Sequence, residues 1–417
     1  MPPSTIGRRE FTVMIAMIMA LTALAIDIML PTFSAVRTEF GLAADSTAPA
    51  AIVTFFFLGL AAAQPVFGPL ADRFRRKPIL YVGLALYLAS AIAVALAPTF
   101  QMVLVSRFLW GVAAAAPRVV AISVVRDSYQ GEAMAKTMSL IMSIFVLVPV
   151  VAPSIGSMIL SVSSWRWVFG SCAVAAALLA GWTQRLPETL EPSNRLPLRF
   201  DSIVAAGRTV LTNRQTMGYT LAMTVLFGAF MSYLASSELI ISDVFDRADQ
   251  FPYVFGGVAA VMGAAMLLNA GIVARVGLKR LVRIVLVGYV TVAAGLAMLA
   301  VATDGKPGFW LFVVGLAAML SVHALLIPNF NTLAMNPMGA VAGTAAAVIG
   351  TISTALGAGL GAALDRMFDG TVLPFTLGFL ACGVIAAGIV SWVERKGSTD
   401  PGRVPEQTLG RAPILGG

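Results

Sequence analysis

The chain holds 417 residues, 59% of them hydrophobic and only 12% charged, with a formal net charge of +8. Soluble domains carry about a quarter charged residues, so this composition excludes an ordinary soluble enzyme or binding domain. The basic excess would suit a nucleic-acid binder. However, Lys and Arg lie in short segments between apolar runs, the pattern of membrane topology signals.

The first apolar run, about 11–33, follows Arg8 and Arg9. It has the look of a signal peptide with a cleavage site at Ala23-Leu24-Ala25, but it continues past Ala25 and is read as the first anchor. Five runs follow at about 50–70, 78–97, 101–125, 138–161 and 166–184. Six more lie at about 216–240, 252–275, 281–302, 309–333, 340–364 and 372–393. Each is near the roughly 20 residues a helix needs to cross a bilayer. Lipid leaves isolated strands unsatisfied, and barrel alternation is absent, so all twelve are expected to be helices. Cys172 and Cys382 sit inside apolar runs and read as small buried hydrophobes rather than a disulfide.

The stretch from about 185 to 215 is polar and proline-bearing. It holds Leu186-Pro-Glu-Thr-Leu190, Pro192, Arg195, Pro197, Arg199, Arg208 and Arg214. It reads as a linker between six-helix halves, with a short interfacial helix near Asp201–Leu211. The expected division is 1–185 for the N-terminal bundle, 186–215 for the linker, 216–395 for the C-terminal bundle and 396–417 for a Gly/Pro-rich tail. With both termini in the cytoplasm, about 21 of the 28 Lys and Arg fall on the cytoplasmic side. Five fall outside (Arg37, Arg166, Arg247, Lys306 and Arg366) and two lie within the fourth run. This bias fixes the expected orientation.

A basic turn, Gly68-Pro-Leu-Ala-Asp72-Arg73-Phe-Arg75-Arg76-Lys77, joins runs two and three, and a fainter copy, Gly271 to Arg280, joins runs eight and nine. A turn repeated once per half indicates a duplicated membrane protein whose halves move against each other.

Charges inside the runs are the candidate machinery. Asp27 lies in the first; a charge at mid-membrane costs about 2.5–3.5 kcal/mol on insertion scales and must face a partner or water. Desolvation disfavours its charged form, which suits proton binding and release. Arg107, in the fourth run, is the expected partner at similar depth. Arg118 lies eleven residues on, near three turns, and shares its face; it reads as a substrate contact or a structural tie. Glu238, near the outer end of the seventh run, reads as a second proton site or an interfacial residue. His323, the only histidine, reads as a relay or a helix–helix contact. Phe56, Trp110, Phe227, Phe230, Tyr233 and Asn331 are candidates for a central cavity. In the fifth run, Pro149 and Pro153 are expected to bend the helix, while Gly156 permits close packing; Pro153 and Gly156 are candidate pivot residues. There is no P-loop, so an ion gradient is the expected energy source, and no cofactor is implied.

The Gly68–Lys77 tract resembles the signature of the major facilitator superfamily, G-x-x-x-D-[RK]-x-G-[RK]-[RK]. Gly68, Asp72, Arg73, Arg76 and Lys77 match, and Arg75 stands where the second glycine is expected. Arg107 and Gly111 match the R-x-x-x-G pattern of its proton-coupled members. Asp27-Ile-Met-Leu-Pro31, Arg118 with Arg126-Asp127, Pro149 to Gly156, Trp165 to Phe169 and Leu186 to Leu190 are similar to the Bcr/CflA branch of bicyclomycin and chloramphenicol efflux proteins. The drug-antiporter pattern G-x-x-x-G-P-x-x-G-G is only partly present, since Val148, Ala152 and Ser157 replace glycines.

The resemblance implies an all-α membrane protein of twelve helices in two pseudo-symmetric halves, monomeric, in the inner membrane, and not an enzyme. It implies a proton-coupled antiporter exporting amphipathic drugs, chloramphenicol- or bicyclomycin-like or lipophilic cations. Asp27, Arg107 and Glu238 would couple protons. Asp72, with Gly68, Arg73, Arg76, Lys77 and Arg126, would form a cytoplasmic gate against the start of helix 11, near Gly339–Gly343. The alternatives are a proton symporter importing a metabolite and a non-transporting membrane sensor.

Overall fold

The computed structural model describes residues 6–43, 46–129, 131–190 and 200–397. Part of the linker read from the sequence (191–199) and most of the tail (398–417) lie outside them. Among the described residues the chain is helical throughout, with no strand. Six spans come first: α1 (Arg8–Asp27, continued by a 3-10 turn Leu30–Thr32 and α2, Phe33–Glu39), α3 (Ala51–Phe74), α4 (Arg76–Ala95), α5 (Phe100–Ser128), α6 (Gly131–Val162) and α7 (Trp165–Trp182). After α8 (Phe200–Thr212) come α9 (Arg214–Leu239), α10 (Phe251–Val276), α11 (Leu278–Ala302), α12 (Phe309–Met335), α13 (Ala342–Asp365) and α14 (Leu373–Gly397). Twelve of these segments are long and apolar enough to cross a membrane.

Two boundaries differ from the sequence reading. The first span is not one helix to residue 33: α1 stops at Asp27, and Pro31 enters the following 3-10 turn. Proline lacks an N–H and favours the first turn of a new helix over the interior of an old one. The expected bend did not break the fifth span; α6 runs without interruption through Pro149 and Pro153. The short helix expected near Asp201–Leu211 is present as α8, one residue longer at each end.

The duplication is visible in the packing. In the first half α3 packs on α5, α4 on α5 and α7, and α1 on α6. In the second half the corresponding pairs recur: α10 on α12, α11 on α12 and α14, and α9 on α13. The halves meet where α3 packs on α13 and α6 on α10, two contacts exchanged by the same pseudo-two-fold.

Glycines set the closest crossings, as expected where lipid supplies no hydrophobic drive and helices associate by tight packing. Gly59 of α3 abuts the Phe108 carbonyl of α5, and Gly111 of α5 abuts the Phe56 carbonyl of α3. A Cβ at either position would overlap a backbone oxygen. Gly111→Ala is therefore expected to push α3 off α5 and cost about 1–3 kcal/mol, the usual penalty of overpacking. A fall in the melting temperature of the purified protein checks this. Gly156 of α6 meets the Ile28 carbonyl in the same way, which seats α6 beside the residue that follows Asp27.

Candidate functional site

The two basic turns share one backbone conformation. Arg75, between α3 and α4, has φ 80° and ψ 156°; Gly277, between α10 and α11, has φ 83° and ψ 143°. Both lie where side chains are unfavourable and glycine is at ease. The glycine missing from the first turn is thus replaced by a residue held in the same geometry. Aligning the turns on this conformation pairs Arg73 with Arg275 and Asp72 with Ala274, so the second copy lacks the acid. Backbone strain of this kind costs of order 1–3 kcal/mol. Arg75→Gly is expected to stabilise the protein by about 1 kcal/mol, after loss of the half-exposed contact from Arg75 to Glu188 (3.4 Å). A thermal melt of the variant checks it.

Around that turn the candidate gate residues form one network. Arg76, 3% exposed, holds Asp72 at 2.5 Å and Asp127 at 2.9 Å. Arg126 reaches Asp72 at 3.6 Å. Glu188 accepts from the backbone N–H groups of Arg76 (3.0 Å) and Lys77 (3.1 Å), capping the start of α4 from far along the chain. A carboxylate there satisfies two orphan donors and faces the positive end of the helix dipole. The Lys77 ammonium donates to the Gln184 carbonyl, and Arg73 lies over the Phe74 ring. A Cβ at Gly68 would meet open space. Among the described residues the ion pairs of Asp72 stay within the first half; the expected contact with the start of α13 falls partly on side chains 340–342, which lie outside them.

At the other end of the bundle the halves touch. Arg37 of α2 pairs with Asp243, just beyond α9, at 3.2 Å. Phe57 of α3 meets Phe227 of α9 edge-on at 5.9 Å, and the Thr351 hydroxyl of α13 donates to the Ala61 carbonyl of α3 (3.3 Å). Gly256 and Gly263 of α10 take Val150 and Val146 of α6 against their open faces.

Asp27 lies near this contact, 4% exposed, within electrostatic range of Tyr233 on α9. Among the described residues its carboxyl forms no hydrogen bond or ion pair. The expected Asp27–Arg107 pair is absent. Arg107, fully buried, donates instead to the backbone carbonyls of Ala25 (3.0 Å) and Ile52 (3.2 Å). Its guanidinium lies 4.6 Å from the ring centre of Phe56, 4.9 Å from Trp110 and 5.9 Å from Phe169. Desolvated cation–π contacts of this kind can each exceed about 2 kcal/mol. Arg107 reaches the carbonyl two residues before Asp27, and its Nη2 has no partner. Phe56 and Trp110 are fully buried parts of this nest, not the cavity lining the sequence suggested.

The remaining candidates divide. Phe230 stacks on His323 (5.4 Å, 20°), and Tyr233 stacks on Phe255 (5.5 Å, 4°). His323 is thus a buried ring between α9 and α11, touching Tyr289 as well, with its Nδ1 unpartnered. Asn331 is exposed on α12. Glu238 is 3% exposed; one oxygen accepts from the Ser242 hydroxyl (3.1 Å) and the other is unpartnered. Sequence reading missed Asp365, the last residue of α13. It is 4% exposed and accepts from the hydroxyls of Ser232 (2.7 Å) and Ser236 (2.8 Å) on α9. Those serines, four apart on one helical face, were the available signal.

The stripe on α1 that carries Asp27 shows how the halves part. Positions 13, 17, 20, 24 and 27 repeat at helical spacing on one face. That face is buried at Asp27, beside α9, yet Val13 is 42% and Met17 44% exposed. The opening therefore lies toward the basic-turn end.

The model of the Major Facilitator Superfamily matches residues 13–362, and the chain belongs to that superfamily of membrane transporters. It is 28% identical to a bicyclomycin resistance protein homolog of Haemophilus influenzae, over 90% of this chain and 94% of that one. It is 26% identical to the multidrug resistance protein MdtM of Escherichia coli K12, over 89% and 91%. With the chloramphenicol resistance protein CraA of Acinetobacter baumannii it shares 28% identity over 52% of each chain. These relatives bear out the branch resemblance. In fold it is similar to a D-xylose–proton symporter, with a TM-score of 0.75 at 14% identity over 92% of this chain and 97% of that one.

Proposed function

We propose that the protein is a proton-coupled antiporter that exports small amphipathic drug-like compounds by alternating access across the inner membrane. The observation that carries this reading is Asp27: a buried carboxyl with no hydrogen bond or ion pair among the described residues, at the contact between the halves, two residues from a carbonyl held by Arg107. A group so placed changes its interactions on both sides when it gains or loses a proton. When ionised, Asp27 places an uncompensated charge beside Tyr233 of α9 at the contact between the halves; when protonated, it removes that charge. Two ligands that bias one equilibrium between states are coupled in this way, by differential affinity. Glu238 and Asp365 are two further buried carboxyls at the same end, available as secondary proton sites.

The basic-turn end is taken as cytoplasmic, with both termini there, which makes the conformation described above inward-facing. Residues 1–185 and 216–395 are the two moving bodies, joined by 186–215, and the carrier acts as a monomer. The turn network is the open half of a gate. On closing, Asp72 leaves part of its arginine pairing to meet the positive start of α13, while Pro153 and Gly156 act in the pivot of α6. Asp72→Ala is expected to slow turnover several-fold while leaving drug binding intact; unchanged turnover contradicts the gate.

Direction is tested in proteoliposomes given a chloramphenicol-like substrate and an inward proton gradient. Antiport drives substrate out of the vesicle lumen. Accumulation with the gradient would favour the symport reading instead.

A further inference from the structure

Arg118 is the membrane-embedded charge that nothing above employs. It lies on α5 eleven residues beyond Arg107, about 16 Å along the helix axis at 1.5 Å per residue. The two are fully different in setting: Arg107 is 0% exposed, whereas Arg118 is exposed. That exposure is not toward lipid. The bare apolar stripe of α5 is Met102, Val105 and Leu109, and Arg118 comes nine residues after Leu109, half a helical turn round on the opposite face. It shares the face by which Arg107 reaches α1 and α3, with Ile122 (41% exposed) one turn on. Arg118 therefore opens into the same parting of the halves as Val13 and Met17.

Among the described residues no acid neutralises it: Arg118 has no ion pair and no hydrogen bond. Asp27 lies at the depth of Arg107, about 16 Å away along the axis, and Glu238 and Asp365 are at that same far end. Asp127, about 13 Å along the helix in the other direction, is held by Arg76. Asp72 is held by Arg76 and Arg126, Glu10 by Arg185, Glu188 by the start of α4 and Glu394 by Arg283. A cation in a membrane span without a protein counter-charge is a functional position by default, since charge there is costly.

We propose that Arg118 is the recognition point for an anionic group on a carried compound, which makes amphipathic carboxylates preferred substrates beside neutral drugs of similar size. The guanidinium offers a planar fork that matches a carboxylate with two parallel hydrogen bonds. Val13, Met17 and Ile122 supply apolar surface for the body of the molecule. The inference rests on the transport reading and narrows it, turning it away from the lipophilic cations the sequence alone allowed.

The test uses the full chain, purified in lipid nanodiscs, and three probes of one shape: 2-naphthoate, 2-naphthamide and a naphthylmethyl-trimethylammonium ion. Binding is read by calorimetry, so the result does not depend on transport. The intact protein binds naphthoate best. Arg118→Gln weakens naphthoate at least about tenfold, the loss of a charge-assisted hydrogen bond, and leaves the amide unchanged; Arg118→Lys recovers part of the affinity. Preference for the ammonium ion, an equal loss for all three probes, or no naphthoate binding to the intact protein overturns the proposal. Proton-coupled flux of neutral drugs by a variant that fails these criteria would leave the transport reading standing, whereas absence of any flux by the intact protein would remove that reading separately.

Discussion

Asp27→Asn is expected to abolish uphill export while leaving the protein folded and inserted. Asparagine has the same shape, and the carboxyl it replaces makes no hydrogen bond or ion pair among the described residues, so no contact is lost. What is lost is the proton site. Downhill exchange of drug should persist, because the halves can still rock, but it should no longer respond to a pH gradient. Thermal stability should be unchanged or slightly raised, since an unpaired buried carboxyl is removed. Loss of expression instead would make Asp27 a structural residue.

Arg107→Ala is expected to do the opposite: remove folded protein rather than coupling alone. The guanidinium ties α5 to the carbonyls of Ala25 on α1 and Ile52 on α3, and fills the space among Phe56, Trp110 and Phe169. Deleting a buried side chain of that size costs about 3–5 kcal/mol and leaves two carbonyls without donors. Arg107→Lys keeps the charge but not the planar stacking or the fork, so it should fold and transport poorly. Protein level and melting temperature of the two variants separate these outcomes. An Arg107→Ala protein as stable as the original would contradict the nest described here.

The fold was legible because its signals are redundant. Twelve apolar runs, two basic turns and a strong charge bias each point to the same bundle, and the positive φ of Arg75 fell where the resemblance demanded glycine. The candidate site was legible as residue types but not as contacts. A charge inside an apolar run announces that it needs a partner; it does not say which. Arg107 found backbone carbonyls and aromatic rings on three other helices besides Trp110 on its own, a choice made by tertiary packing that helical spacing along α5 cannot encode. Glu188 looked like linker chemistry because the helix it caps begins 112 positions earlier in the chain. Asp365 escaped because it closes α13 beside Arg366 and so resembled a loop residue. Pro31, by contrast, carried a plain signal for the break after Asp27, and the hydrophobicity of the surrounding run obscured it.

The central claim is that Asp27 couples protons to drug. Everted membrane vesicles with a respiration-generated, acid-inside pH gradient test it most directly. Addition of a chloramphenicol-like drug should release protons through the intact protein, and the release should vanish in Asp27→Asn at equal protein level. Release that persists unchanged in the variant would contradict the assignment of the coupling site, and no release by the intact protein would contradict antiport itself.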